Sequence, residues 1–135
     1  MNPRSILELN VPAHRAIVND LLLQASERVR AKAAPMPNKN QKLQNKIRRG
    51  SNFIGANLRG AGLRGANLRG ALLIASDLRD SDMRMTDLIG ADFRDADLSG
   101  ADLTGSVFLT QAQVNSAKGD MATKLLPSVS IPDHW

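Results

Sequence analysis

The chain has 135 residues, which is enough for one domain with a modest hydrophobic core. It carries 18 Lys and Arg against 13 Asp and Glu, so its formal net charge is +5 and its sequence pI is near 10.2. Cysteine is absent, which excludes disulfide frameworks, zinc–thiolate sites, iron–sulfur clusters and cysteine nucleophiles. No apolar run approaches the ~18 residues of a membrane span, so we predict a soluble, cytoplasmic protein with no membrane partner.

The first segment, residues 1–34, is predicted to be helical. Ser5 and Glu8 have the spacing of a capping box, which predicts a short first helix, and Pro12 suits the first turn of a second one. The second helix collects apolar residues on one face: Val18, Leu22, Ala25 and Val29, with Ile17 and Leu21 beside them. Such a face predicts docking on the adjacent repeats or on a neighbouring molecule.

Residues 35–50 form a basic segment that contains no acidic residue. Its charged residues are Lys39, Lys42, Lys46, Arg48 and Arg49. This composition predicts a solvated linker, and the alternative is nucleic-acid binding through residues 28–49. We favour the linker because no aromatic residue is interleaved for base stacking.

Residues 51–110 repeat with a period of five. Every fifth residue is large and apolar, and we predict these twelve as the core: Phe53, Leu58, Leu63, Leu68, Leu73, Leu78, Met83, Leu88, Phe93, Leu98, Leu103 and Phe108. The residue two positions earlier is Ala, Ser or Thr, and the one just before is Asn or Asp in nine of the twelve repeats. Neither a helix nor a flat strand places residues five apart on one face, whereas a corner in every repeat coils the chain into a prism.

Three of the repeats carry a resemblance to a known family. Residues 56–60 and 66–70 read Ala-Asn-Leu-Arg-Gly, and residues 101–105 read Ala-Asp-Leu-Thr-Gly. They resemble the A(D/N)LXX motif of the bacterial pentapeptide repeat proteins. The resemblance implies an all-β solenoid, a right-handed quadrilateral parallel β-helix of about three coils with twenty residues per coil. The spacing of the outward residues alone does not choose between four sides and three.

The last segment, residues 111–135, is predicted to cover the end of this solenoid. Thr110 and Gln113 form a capping box, and Gly119 suits the end of a short helix. The proline-rich tail that follows is predicted to be extended and anchored by Trp135 in a groove. Its resemblance to the ends of longer family members leaves two expectations, a short member or the C-terminal part of a longer one.

Charge is segregated along the chain. Residues 1–50 hold ten basic and three acidic residues, and residues 51–70 add three arginines and no acid. Residues 71–110 hold three arginines and eight aspartates. Some pentapeptide repeat proteins resemble B-DNA and protect DNA gyrase or topoisomerase IV from quinolones, so the resemblance allows a DNA-mimic role with a DNA topoisomerase as partner. Two acidic coils span only ~10 Å, which is short against the ~34 Å turn of DNA.

We predict no catalytic residue, metal site or cofactor, and therefore no enzyme. Gly60 to Gly65 match G-x-G-x-x-G, but the match follows from the corner glycines of the repeat. His14 and His134 have no patterned partner, and the close pairs Asp80/Asp82 and Asp95/Asp97 are in phase with the repeat. Solvated surface charge accounts for these aspartates.

The function we predict is that of a non-enzymatic protein-binding or scaffold module. Arg59 and Arg79 would form one contact column and Arg64 and Arg84 another, facing a protein partner that the sequence does not identify. The small core also predicts a homo-oligomer. The alternatives are the DNA-mimic role and nucleic-acid binding through the basic N-terminal segment.

Overall fold

A computed structural model describes residues 3–32 and 41–135, with side chains from residue 16 onward in the first range and from residue 42 in the second. It contains three helices: α1, Pro3–Ala31; α2, Gln41–Lys46; and α3, Gln111–Asn115. Between α2 and α3 the chain pairs through isolated parallel β-bridges instead of longer strands. None of the described helices is long and apolar enough to cross a membrane.

The bridges show that one coil has four sides. Asn52 pairs with Leu72, which pairs with Asp92, and Asn57 pairs with Asp77 in the same parallel sense. Each step is twenty residues, or four repeats of five, which decides between the four and three sides that the sequence leaves open. In the first coil, residues 51–70, we call the successive five-residue sides A, B, C and D. Residues 71–90, which we call the second coil, continue these sides, and residues 91–110, which we call the third coil, continue them as far as Val107.

Backbone hydrogen bonds hold each coil to the next. On side A the Phe53 N–H donates to Leu72 O, the Leu72 N–H to Ser51 O and the Gly55 N–H to Ile74 O, each at 2.8 Å. The same three bonds recur on the other sides and satisfy backbone groups that would otherwise be unpaired. The coils therefore stack at the ~4.8 Å spacing of neighbouring strands.

The corners explain two columns of the repeat. At the first corner the Ala56 N–H donates to Phe53 O at 3.0 Å, and Gly55 has a φ of +65°, which favours glycine. The Asn52 side-chain oxygen accepts from the Ile54 N–H at 3.1 Å. All nine Asn or Asp residues that precede a core residue make this same bond. These side chains thus fix the corners as Asx turns.

The interior is filled by the predicted core residues and the small column beside them. Eleven of the twelve core residues, from Phe53 to Leu103, are buried. In the small column, the hydroxyls of Ser76, Ser81 and Thr86 are buried too. They donate to the carbonyls of Leu73, Leu78 and Met83 in their own turns at 2.7, 2.7 and 2.8 Å. At these three positions a hydroxyl therefore replaces an Ala methyl without leaving a buried polar group unpaired, whereas the Oγ of Ser106 in the same column is buried with no partner in the described part of the chain.

Phe108 is not a core residue, and its prediction is wrong. Its side chain is 41% exposed, whereas the neighbouring Leu109 is 6% exposed and packs in the core. Val107 still pairs with Asp87, but Phe108 then takes a φ of +60° as the chain turns toward α3. This turn reverses the order of inward and outward side chains after Val107.

The N-terminal region is one helix instead of the two that the sequence predicts. Helix α1 continues through Pro12, so the proline does not separate two helices. The predicted apolar face docks only in part: Leu22 and Val29 are half-buried, whereas Ile17 and Leu21 are 60% and 57% exposed. The side chains of the predicted Ser5–Glu8 capping box lie outside the described residues.

The predicted linker contains helix α2. Leu43 and Ile47 are half-buried and pack against the core, and the Gln44 Nε2 donates to Gly62 O at 3.1 Å. These contacts order residues that the basic composition alone does not mark as structured. Lys39, which the sequence analysis includes in the segment, lies outside the described residues.

The C-terminal segment continues two of the four sides. Lys118 pairs with Asp97 on side B and Lys124 with Asp102 on side C, while α3 occupies the position of side A. The capping box at the start of α3 is present, with Thr110 as N-cap. The Trp135 Nε1 donates to Ala117 O at 3.0 Å, which ties the end of the tail to the segment that follows α3.

Candidate functional site

The four predicted contact arginines lie in register on sides B and C. The Gly60 N–H, directly after Arg59, donates to Arg79 O at 2.8 Å. The Gly65 N–H, directly after Arg64, donates to Arg84 O at 2.9 Å. The two arginines of each column are therefore placed one coil apart by backbone hydrogen bonds.

The second-coil arginines bind aspartates of their own repeats. The Arg79 Nε and Nη2 donate to the two carboxylate oxygens of Asp77 at 2.9 and 2.7 Å. Arg84 makes the same two bonds to Asp82 at 2.8 and 2.7 Å. A bidentate pair fixes the plane of the guanidinium, so both arginines present a defined edge to solvent.

These pairs lower the pKa of the aspartates. The side-chain hydrogen bonds from Arg79 lower the pKa of Asp77 from 3.8 to about 2, although partial desolvation opposes the shift. The bonds from Arg84 and Arg94 lower the pKa of Asp82 and Asp92 in the same way. All three carboxylates are consequently ionised at neutral pH.

We expect the low pKa of Asp77 to make the fold less stable in acid. The folded pKa lies below the unfolded value of 3.8, so the contribution is fully present above about pH 4 and is lost as the pH falls toward 2. Carboxyl NMR titration measures the pKa directly, and urea unfolding at several pH values measures the stability. Arg79→Gln should raise the pKa of Asp77 toward 3.8, whereas Arg28→Gln on exposed α1 should not.

The first-coil arginines are less neutralised. The Arg59 side chain is 56% exposed, and its Nε lies 3.7 Å from the Asp80 carboxylate, too far for a strong hydrogen bond. The Arg64 Nε is buried and has no hydrogen-bond partner in the described part of the chain. The two columns thus carry their least compensated charge at the end nearer α2.

A buried ion pair on side D contacts α1 and holds it against the coils. No pattern in the sequence predicts this contact. The Asp87 carboxylate accepts from the Arg69 Nε at 3.1 Å and from the Ser26 Oγ of α1 at 2.6 Å. The side chains of Arg69 and Asp87 are 7% and 1% exposed. The Arg30 Nε adds a bond to the Ser26 Oγ at 3.2 Å. These contacts hold a helix in place and leave no surface for a ligand.

A basic cleft lies between α2 and the first coil. Its volume is about 620 Å³, and Lys42, Lys46 and Arg48 line it together with residues 50–53 and 56–58. Three cationic side chains therefore line the cleft together with the polar residues Asn52 and Asn57. The sequence signal for it is the absence of acidic residues between Glu27 and Asp77, but spacing alone does not show that α2 faces the coil.

The remaining candidates from the sequence are the glycines of the G-x-G-x-x-G match, the paired aspartates and the two histidines. Gly60 and Gly65 are corner residues with φ values of +67° and +71°. In the ranges that the structure describes, no group of three or more His, Cys, Asp and Glu side chains is placed to hold a metal ion. His134 contacts Ala117 O at 2.9 Å, and the side chain of His14 lies outside the described residues.

Residues 49–73 and 71–108, which include the four contact arginines, match the family described as pentapeptide repeats, in eight copies. Residues 49–108 of the chain are therefore pentapeptide repeats. Proteins of this family form right-handed quadrilateral β-helices, which agrees with the twenty-residue pairing of the coils.

Individual relatives cover this pentapeptide repeat protein to different extents. It is 67% identical over 135 residues to the uncharacterized protein YybG of Bacillus subtilis, of which it spans 47%. The crystal structure of Rfr23, a pentapeptide repeat protein of Cyanothece 51142, matches 56% of this chain and 50% of its own, with 26% identity and a TM-score of 0.50. That of alr5209 from Nostoc matches 61% and 78%, with 29% identity and a TM-score of 0.30. The chain therefore spans about half the length of YybG and Rfr23.

The acidic coils of this pentapeptide repeat protein present less free charge than their composition indicates. Asp77, Asp82 and Asp92 each accept hydrogen bonds from the Nε and Nη2 of one arginine through both carboxylate oxygens. Asp87 is buried under α1. Half of the eight aspartates are thus compensated, which does not favour an imitation of the phosphate charge of DNA.

Proposed function

We propose that this pentapeptide repeat protein is a non-enzymatic scaffold module that binds another protein through its arginine columns. The proposal covers the part of the protein that this sequence represents. The observation that carries it is the placement of Arg59 beside Arg79 and of Arg64 beside Arg84 on a hydrogen-bonded frame. Such an array loses little conformational entropy on binding because its backbone and two of its side chains are already fixed.

The partner that fits this surface carries carboxylates at matching intervals. Arg79 and Arg84 keep part of their guanidinium accessible, with side chains 42% and 40% exposed. Arg59 adds a more exposed cation on the neighbouring coil. Opposite charge at such positions speeds encounter and sets the orientation of the partner.

Affinity capture from the source cells tests the proposal. The four column arginines are replaced together by Glu, and circular dichroism verifies that the coils remain folded. We expect the captured partner to be lost, because attraction is converted to repulsion at four adjacent positions.

A matched control reverses four exposed charges away from sides B and C: Arg28, Lys32, Arg49 and Arg94. This control should retain the partner, since it makes the same change in net charge on other surfaces. Equal capture by the wild type and by the column variant would contradict the assignment of the arginine columns.

The number of coils and the elements that cover their two ends are part of the same proposal. We propose three coils that are covered by α1 and α2 at the N-terminal side and by α3 with the tail at the other. The N-terminal cover is partial, because the backbone N–H and C=O of Asn52 and Asn57 have no partner in residues 3–32 and 41–135. A partly uncovered solenoid end promotes association, so the proposal includes self-association of the module. Sedimentation at several concentrations tests it, and a single monomeric species at all concentrations would argue against it.

A further inference from the structure

The first coil has an edge with unpaired backbone groups on sides A and B. In the second coil, the Leu72 N–H donates to Ser51 O, and Leu72 O accepts from the Phe53 N–H. Asn52 is the equivalent residue of the first coil, and its N–H and C=O have no hydrogen-bond partner in residues 3–32 and 41–135. Asn57, the equivalent of Asp77, has the same two free groups in that part of the chain. We call residues 51–58 the open edge.

The corresponding edge on sides C and D is contacted in part by other described residues. The Gln44 side chain of α2 donates to Gly62 O at 3.1 Å on side C. On side D the Gly50 N–H donates to Arg69 O at 2.9 Å, while the N–H and C=O of Asn67 have no partner in residues 3–32 and 41–135. Asn52 and Asn57 differ from Asn67 in that they line the basic cleft.

The charged residues that line the basic cleft are all positive. Lys42, Lys46 and Arg48 line the cleft opposite the edge, and none of them forms an ion pair within the described part of the chain. The floor of the cleft is apolar where Phe53 and Leu58 reach it. An occupant must therefore supply backbone donors and acceptors, negative charge and some apolar surface.

We propose that the open edge binds an extended acidic peptide segment of a protein partner by β-strand addition. The peptide backbone pairs with Asn52 and Asn57, and its carboxylates face Lys42, Lys46 and Arg48. The inference depends on the proposed function only in requiring a protein partner, because it uses none of the four column arginines. A nucleic acid fits less well, since phosphates accept hydrogen bonds but cannot donate to the free carbonyls of the edge.

Fluorescence anisotropy with short labelled peptides tests the inference on the full chain. The probe is an eight-residue peptide of alternating Glu and Val with blocked ends. One control replaces Glu by Lys, and another methylates alternate backbone nitrogens of the acidic peptide, which keeps its charge and removes its donors. We expect both controls to bind at least about tenfold more weakly than the probe.

Two matched variants locate the site. Lys42→Glu with Lys46→Glu should weaken probe binding by about tenfold or more, because two cations at the cleft become anions. Lys118→Glu with Lys124→Glu makes the same change in charge at exposed side chains of the C-terminal segment and should leave binding within about twofold.

Three outcomes would overturn the inference: no binding of the acidic probe, equal binding of its methylated form, or equally tight binding of a single-stranded oligonucleotide of the same charge. The second outcome would mean that backbone pairing is not used, and the third that any polyanion suffices. Reversal of Arg64 and Arg84, which lie on side C away from the open edge, should leave probe binding within about twofold while it weakens capture of the cellular partner. The two proposals can therefore fail separately.

Discussion

Asp87→Asn is expected to lower the free energy of unfolding by about 3 kcal/mol, because it leaves the charge of Arg69 buried without its partner. The Arg69 and Asp87 side chains are 7% and 1% exposed, so water cannot replace the lost contact while α1 stays docked. Asparagine keeps the oxygen that accepts from the Ile89 N–H at 3.0 Å, so the corner itself is retained. Urea unfolding followed by circular dichroism measures the loss.

Asp92→Asn is the matched control, since it makes the same change at an ion pair on the surface. Asp92 binds Arg94, whose side chain is 68% exposed, and solvent can take over the interaction. We expect a much smaller loss there. Equal losses in the two variants would show that burial of the Arg69–Asp87 pair does not contribute.

Ser26→Ala separates the docking of α1 from the stability of the coils. It removes the 2.6 Å hydrogen bond that α1 makes to Asp87 and leaves the ion pair in place. A hydrogen bond to a charged group contributes about 1.5–3 kcal/mol, and α1 should lose docking energy of that order. Trypsin cleavage at Arg28 and Arg30 should become faster, because a detached α1 unfolds more readily and its backbone becomes accessible to the protease.

The coil could be predicted from the sequence because its determinants are local. The large residue and the small residue of each repeat are two positions apart and point inward together, as the burial of Phe53 to Leu103 shows. The Asn or Asp between them fixes the corner through a bond to a backbone N–H two residues later. Both rules act within one repeat, so a single period is enough to recognise them.

The number of sides could not be predicted because it is set between coils. Outward residues match about equally well at three and at four repeats, and the backbone bonds that choose four, such as that from Phe53 to Leu72, carry no side-chain signature. The exposed position of Phe108 was not predicted for a related reason. Its residue type fits the period, and only the following helix forces the change in direction.

The positions of the contact arginines could be predicted from the sequence, but the residues with which they pair were not predicted. The arginine columns follow from the repeat, and the two-residue spacing of Asp77 and Arg79 could have indicated their pair, since residues two apart share a side. The contact of Ser26 with Asp87 spans 61 residues and has no signal in the spacing. The basic cleft depends likewise on where α2 lies, which the composition of residues 35–50 does not determine.

Leu109→Ala is expected to lower the free energy of unfolding by about 2–4 kcal/mol, because it removes a buried side chain and leaves a cavity. Leu109 is 6% exposed and belongs to the core, whereas Phe108 is 41% exposed although the period of five assigns it to the core. Thermal and urea unfolding of both alanine variants measure the difference. Leu109→Met should cost much less than Leu109→Ala, since it conserves most of the buried volume.

Phe108→Ala is the matched control and is expected to cost less than about 1 kcal/mol, because most truncations of exposed side chains have small effects. Phe108→Gly should be neutral or stabilising, since glycine adopts the φ of +60° without the steric cost that a side chain incurs there. A larger loss for Phe108→Ala than for Leu109→Ala would contradict the change of phase. It would mean that the regular repeat continues to Thr110 and that α3 begins from an undisturbed coil.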